Sequence, residues 1–280
     1  MENRINQFKQ AIAQPFKSAM FDFDGTLCVS GTGQMSEEMM DVLAELCMER
    51  PLAICSGRLW EGMLPKMEPI FARAKDPELA RSNWYYCLES GTVGYRYNRQ
   101  KRDYERFYEF EGKWNELKVK VMEEAKREFP KITDDLVFIQ GDFNFEAYIR
   151  AGRDVAHLTA QMARAAEEFL KKIDPLGTLH VIDSGIAVHI LPKEAHKGRG
   201  ILEFGNLLGL EAPYKDLLLI GDQPQRGGND EQFLEGKWGV PFTTENLGEG
   251  LQPNPVFNEK DERLTGPTAT LELLRRVHFT

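Results

Sequence analysis

Two carboxylates, Asp22 and Asp24, stand one residue apart in Phe21-Asp22-Phe23-Asp24-Gly25-Thr26-Leu27, just past an apolar run and just before a glycine turn. Acids this close stay ionised only beside a cation; otherwise one of them must hold a proton. A metal-bound carboxylate nucleophile next to a proton-shuttling carboxylic acid meets both conditions. The chemistry that suits such a pair is phosphoryl transfer through an aspartyl-phosphate. Asp22 could attack phosphorus while Asp24 protonates the leaving oxygen and then deprotonates water.

Three other stretches carry residues of the right types. Ser56-Gly57-Arg58 follows the run Leu52 to Cys55. The Ser56 hydroxyl and the Gly57 N–H could hold a phosphate at a helix N-terminus, although the tripeptide alone is an ordinary strand-to-helix turn. Lys197, in His196-Lys197-Gly198, could bridge that phosphate and the nucleophile; a single lysine taken alone reads as solvated surface. Asp222 ends the run Leu217 to Ile220 and opens a glycine-rich loop that closes on Asn229-Asp230. A carboxylate there suits Mg2+, which takes a few carboxylates and keeps several waters. Asn229 and Asp230 would complete the metal site or brace Lys197. Other chemistries lack their signatures: the chain has no G-x-x-x-x-G-K-[ST], no H-E-x-x-H and no G-x-S-x-G. Five scattered histidines and four cysteines without a C-x-x-C pair make no zinc site.

The elements that must position these residues follow an alternating pattern. Residues 18–23, 51–55 and 84–88 read as short buried strands. The helices between them cover 36–48, with Ser36 as N-cap, and 59–74. The pattern returns late: a helix over 198–208, a very apolar strand over 216–220, a helix starting at 229, a short strand at 240–242 and a closing helix over 268–277. Such alternation predicts a parallel sheet covered by helices, and ligands in such sheets bind beyond the carboxyl ends of the strands. Asp22, Ser56 and Asp222 all stand at such ends. The middle of the chain reads differently, as helix 114–129, hairpin 136–150, helix 155–173 and hairpin 179–191. This is an inserted α+β unit, placed at 97–192, within an α/β core of 1–96 and 193–280. The aromatic stretch Tyr104, Phe107, Tyr108, Phe110 and Trp114 reads as cap core or hinge packing.

The 280 residues suffice for one large or two smaller domains, and the 42% apolar content supports a buried core. Lys plus Arg number 35 against 44 Asp plus Glu, a net charge of -9, which argues against nucleic acid as a partner. It leaves room for a small anionic substrate, since local cations can outweigh the global charge. No stretch reaches membrane-span length and residues 1–17 lack a signal-peptide core. With four cysteines in or beside apolar runs, the expectation is a cytoplasmic protein with buried free thiols.

Taken together and in order, these motifs resemble those of the haloacid dehalogenase superfamily of phosphotransferases. Asp22 to Leu27 is similar to the first motif, Ser56 to the second, Lys197 to the third, and Gly221-Asp222 with Asn229-Asp230 to the fourth. The resemblance covers nearly the whole chain. It implies a Rossmann-like core with a C2b-type cap, as in subfamily IIB of sugar-phosphate phosphatases and phosphomannomutases. It implies Asp22 as nucleophile and Asp24 as acid/base. Mg2+ would be held by Asp22, the Asp24 backbone carbonyl and Asp222, with Asn229 or Asp230 in support, and phosphate by Ser56, Gly57 and Lys197. Glu89-Ser90-Gly91 stands where that subgroup often has Glu-Asn-Gly. In such a cap, Arg150 and His189 are candidates to read the leaving group, as are Glu146 and Lys193. The implied activity is Mg2+-dependent hydrolysis of a phosphorylated sugar or similar small metabolite. A sugar phosphomutase, suggested by Gly227-Gly228-Asn229-Asp230, and a non-catalytic sugar-phosphate sensor are the alternatives.

Overall fold

The computed structural model of the chain describes residues 2–110, 114–150, 154–185, 187–225, 228–245 and 253–280. Gly227, named in the sequence reading, lies outside them, as do Ile186 of the hairpin read at 179–191 and Arg226 of the glycine-rich loop. Two compact units divide the chain: Met1–Glu109 with His196–Arg226 and Asp230–Thr280, and Phe110–Ala195 with Gly227–Asn229.

The first unit begins with α1 (Glu2–Ile12), β1 (Pro15–Phe16) and β2 (Ser18–Phe21). Next come α2 (Glu37–Glu49), β3 (Leu52–Cys55), α3 (Trp60–Arg73), α4 (Pro77–Ser82) and β4 (Trp84–Leu88). Every residue of β2 and β3 is buried, the burial expected of parallel strands covered on both faces. Helix α2 starts where its cap dictates: the Ser36 hydroxyl accepts from the Met39 N–H at 3.1 Å, and Glu37 and Glu38 sit in the first turn. After β4 the chain makes the hairpin β5 (Val93–Asn98) and β6 (Asp103–Glu109). This hairpin pairs antiparallel to β4 and extends the central sheet. The boundary read from sequence at residue 97 is therefore corrected to Phe110, because residues 97–109 complete that sheet. Tyr104 packs edge-on against Trp60 at 4.8 Å and against Tyr86 at 5.7 Å, so it belongs to the core of the first unit.

The second unit follows the predicted order: α5 (Trp114–Glu128), β7 (Leu136–Gln140), β8 (Phe145–Ile149), α6 (Val155–Ile173), β9 (Leu179–Asp183) and β10 (Ala187–Pro192). Its strands form an antiparallel sheet in the order β7-β8-β10-β9. Phe129 from the turn after α5, Phe138, Phe145 and Phe169 make its core, with ring centroids 5.9 to 6.4 Å apart. Burying each such ring contributes roughly 1.5–3 kcal/mol.

The chain returns to the first unit with α7 (Lys197–Leu207), β11 (Leu217–Gly221), α8 (Glu231–Leu234) and β12 (Val240–Thr243). It ends with β13 (Asn254–Phe257), β14 (Arg263–Leu264), α9 (Gly266–Arg276) and β15 (His278–Phe279), which pairs with β1. The central sheet runs β14-β13-β12-β11-β2-β3-β4-β5-β6. Its middle strands β12, β11, β2, β3 and β4 are parallel. Strand β2 lies between β11 and β3, with Phe21 level with both Ile220 and Ile54. The residues just past these three strands therefore emerge side by side at one sheet edge, and they are Asp22, Ser56 and Asp222.

Candidate active site

Asp22 leaves β2 with its backbone N–H donating to the Ile220 carbonyl at 2.8 Å, so the last ladder bond of the sheet fixes its Cα. Its carboxylate is buried and accepts from the Lys197 ammonium. Lys197 comes from the first turn of α7, is fully buried, and also donates to Asp230 Oδ1 at 2.6 Å. Asp230 uses its other oxygen to accept from the Asp222 and Gln223 N–H groups at 2.9 and 3.1 Å. One buried carboxylate thus braces the lysine and shapes the turn that presents Asp222. Asn229, immediately before it, is half-buried.

Carboxylate oxygens of Asp22, Asp222 and Asp230 lie within 4.8 Å of one another. Against these three acids, Asp22 and Asp230 buried and Asp222 half-buried, stands one lysine, so the cluster carries an excess of two negative charges if all ionise. The titration of the groups reflects this. Burial pushes the Asp22 carboxyl up to about 7; Lys197 opposes that and Asp230 adds to it. Burial, then the charges of Asp22 and Asp230, push Asp222 up to about 9. Burial disfavours the Lys197 ammonium, but Asp22 and Asp230 more than reverse this and hold it above the ordinary lysine range. An all-oxygen donor set with two charges to spare is the complement of a hard divalent cation. These residues could therefore hold a metal, and Mg2+ fits them.

The same charge excess predicts how the metal-free protein responds to pH. A carboxyl whose folded pKa lies above its unfolded value near ~4 favours folding below that value. That contribution is lost as pH rises through the folded pKa, here about 7 for Asp22 and about 9 for Asp222. In EDTA the unfolding temperature is expected to fall across this window, and Mg2+ should restore it most at the alkaline end. Calorimetric scans at several pH values check this; a profile in EDTA with no alkaline decline attributable to these acids would contradict the charge excess.

Two further predicted residues of the first unit, Ser56 and Gly57, follow β3. Ser56 is buried just past β3; its N–H donates to the Cys87 carbonyl at 3.0 Å and its hydroxyl accepts from the Arg58 N–H at 3.3 Å. Gly57 is half-buried beside it. The following turn, Glu89-Ser90-Gly91, has three successive positive φ angles of 50°, 60° and 83°. Its Ser90 N–H donates to the Ser56 carbonyl at 2.9 Å, and its Glu89 N–H to the Arg58 carbonyl at 3.2 Å. A side chain at Gly91 would meet the His196 carbonyl at 2.8 Å. The turn is a backbone wedge between the Ser56 loop and the start of α7.

Asp24 points its carboxylate to Arg58, which grips both oxygens: Nε to Oδ2 at 2.8 Å and Nη2 to Oδ1 at 2.9 Å. Sequence reading quoted Arg58 without giving it a role. The signal available was its position, two residues past Ser56 at the mouth of the same sheet edge.

In the second unit, His189 on β10 lies level with Glu146 on β8. With alternate side chains on opposite faces, Glu146, Tyr148 and His189 share the face opposite buried Phe145 and Ala147. Arg150 lies just past β8 and is exposed, its N–H donating to the Asp135 carbonyl at 3.1 Å. Lys193 is also exposed, just past β10. All four cysteines are free and buried. Among the described residues, no helix is long and apolar enough to cross a membrane.

No family model matches the chain, and no curated protein matches it in sequence. Solved structures do match it in fold. The C-terminal domain of C. albicans trehalose-6-phosphate phosphatase superposes with a TM-score of 0.65 at 15% identity, over 97% of this chain and 96% of that one. The N-terminally truncated IMP-nucleotidase of Plasmodium falciparum gives a TM-score of 0.62 at 13% identity, over 98% of this chain and 72% of that one. For Aspergillus fumigatus trehalose-6-phosphate phosphatase the TM-score is 0.54 at 18% identity, over 97% and 96% of the two chains. At these identities the likeness is one of fold. The chain has the haloacid-dehalogenase-type α/β fold, a parallel-sheet core with an inserted α+β unit.

Proposed function

We propose that the protein is a Mg2+-dependent phosphatase that hydrolyses a phosphorylated sugar or similar small metabolite through a phosphoryl group carried on Asp22. The observation that carries this reading is the buried Lys197, paired at once with Asp22 and Asp230 beside Asp222 at the carboxyl edge of the parallel sheet. A surface lysine would not be drawn into that position. Similarity of fold to phosphatases of a disaccharide phosphate and of a nucleoside monophosphate supports hydrolysis as the reaction class.

In this reading Asp22, Asp222 and the Asp24 backbone carbonyl would hold the metal, with Asn229 and Asp230 in support. Bound there, Mg2+ shields the nucleophile from the phosphate oxygens and offsets charge on the transferring group. Asp22 attacks phosphorus as the ester bond breaks, and Asp24 delivers a proton to the leaving oxygen. Asp24 then takes a proton from water, which attacks phosphorus, breaks the acyl-phosphate bond and returns Asp22 as a carboxylate. Lys197, Ser56 and the Gly57 N–H bind the phosphate oxygens. The second unit is read as the cap, with Arg150 and His189 as candidates to select the leaving group.

Arg58 orients Asp24 for both proton transfers. Arg58→Gln is expected to lower kcat about 10- to 100-fold on an alkyl phosphate, a fraction of what a general acid supplies. On p-nitrophenyl phosphate, whose leaving group needs no proton, the loss should be only a few-fold. Equal losses on the two substrates would count against this role.

The reading as a whole is tested by offering the purified chain a panel of sugar phosphates and nucleoside monophosphates with Mg2+, and following released phosphate. Isomer formation stimulated by a sugar bisphosphate would point to a mutase instead. Tight binding without turnover across the panel would point to a sensor.

A further inference from the structure

Thr244, the residue after β12, is buried and belongs to no motif read above. Its backbone N–H donates to the Gly221 carbonyl at 2.9 Å, which prolongs the β11–β12 ladder by one rung. Its hydroxyl lies 3.0 Å from the Gly25 carbonyl and 3.4 Å from the Gly221 carbonyl. The shorter contact makes the Gly25 carbonyl the main acceptor of the hydroxyl proton. Thr244 therefore grips both chain segments that carry the acids: Gly25 directly follows Asp24, and Gly221 directly precedes Asp222.

The two segments meet with no slack. Gly25 has φ of +74°, and a methyl group there would collide with the Asp222 carboxylate. At Gly221 a methyl would come within 2.6 Å of Asp230 Oδ2. Asp22 itself is fixed to β11 by the sheet, but the separation of the Asp24 backbone carbonyl from Asp222 depends on how far the Gly25 turn stands from the end of β11, and the Thr244 hydroxyl spans that gap. Thr244 is in turn held from behind. Its carbonyl accepts from the Gly266 N–H at 2.7 Å. The Arg263 guanidinium donates to the carbonyls of Thr243 and Val256, each at 3.1 Å, and to that of Glu245.

We infer that Thr244 is a positioning residue of the metal site, setting the separation of the Asp24–Gly25 turn, with its Asp24 carbonyl, from Asp222. This rests on the reading that these acids hold a divalent cation. Groups that orient metal ligands typically affect affinity 10- to 100-fold. Mg2+ binding to the full chain, measured by titration calorimetry on wild type, Thr244→Val and Thr244→Ser, tests it, with thermal unfolding in EDTA measured alongside. Valine keeps the shape and removes the hydroxyl; serine keeps the hydroxyl. The expected result is Mg2+ affinity at least about tenfold weaker in Thr244→Val, largely restored in Thr244→Ser, with unfolding in EDTA shifted little in either. Equal affinity of Thr244→Val and wild type would overturn the inference while leaving the metal reading intact. Weakened binding in both variants, in step with lowered unfolding temperatures in EDTA, would assign Thr244 a purely structural role and overturn it as well. A wild-type chain that binds no Mg2+ would remove the metal reading and this inference together.

Discussion

Asp22→Asn is expected to lower phosphate release from any accepted substrate by about 10^4-fold or more, the scale on which enzymes lose turnover with their nucleophile. The amide matches the carboxylate in size and can still accept from Lys197, so the fold has no reason to collapse. It cannot attack phosphorus to form an acyl-phosphate, and it contributes a weaker ligand to the metal. The variant carries its own control. In the metal-free protein Asp22 is pushed up to about 7 by burial, so ionising it above that pH works against folding. Asparagine removes this cost. The variant should therefore be inactive and yet unfold at a higher temperature than wild type in EDTA at alkaline pH. Loss of activity together with lower stability there would mean that the substitution damaged the site and would leave no support for a nucleophile. Turnover retained within a few-fold would refute the assignment outright.

The sheet edge that makes this test possible was legible because parallel strands buried on both faces read as unbroken apolar runs. Ala19 to Phe21, Leu52 to Cys55 and Leu217 to Ile220 have no polar alternation to obscure them. The first two stop at Asp22 and Ser56 and the third at Gly221-Asp222, and those stops make the candidate site. Helix α2 was equally clear, since Ser36 and the acids behind it form a local start signal. Residues 97–109, which the sequence groups with the insertion, instead pair within the hairpin β5–β6 of the first unit. The hairpin's aromatic and charged residues alternate as a strand with one half-buried face would, but Tyr95 finds its partner on Trp60 and Tyr104 on Trp60 and Tyr86, which lie in other elements, while Tyr97 packs on Tyr104. Helix α1 is not legible in the sequence, because a mostly polar segment with one fully buried side chain, Phe8, carries little pattern. The grip of Arg58 on Asp24 spans 34 residues of chain, and that of Thr244 on Gly25 spans 219. Neither follows from spacing: side-chain direction at a loop is decided by the packing around it, and two threonines after a short strand carry no signature.

Lys197→Met addresses the charge balance from the other side. A buried ion pair need not stabilise a fold relative to apolar residues, but removing one partner leaves the other charge uncompensated, typically at about 3–5 kcal/mol. Lys197 is fully buried between Asp22 and Asp230, with its ammonium 5.9 Å from the Phe233 ring centre, so water cannot easily replace it. Urea unfolding in EDTA at pH 8 is expected to show a loss of that size. The loss should shrink toward pH 5, because Asp22, already at about 7 with the lysine present, is protonated there and no longer calls for a counter-charge. Arginine should not rescue the variant: its planar guanidinium needs more room than a fully buried ammonium leaves. Mg2+ should return part of the stability, since it supplies positive charge to the same acids, but not the activity. In the proposed reaction the lysine bridges nucleophile and phosphate at a point of its own, and fixed donors of this kind are worth about 10^2- to 10^3-fold in kcat. A Lys197→Met chain as stable as wild type at pH 8 would mean that the acids are neutral in the resting protein. The need for a cation, and with it the case for a metal-dependent site, would then fall.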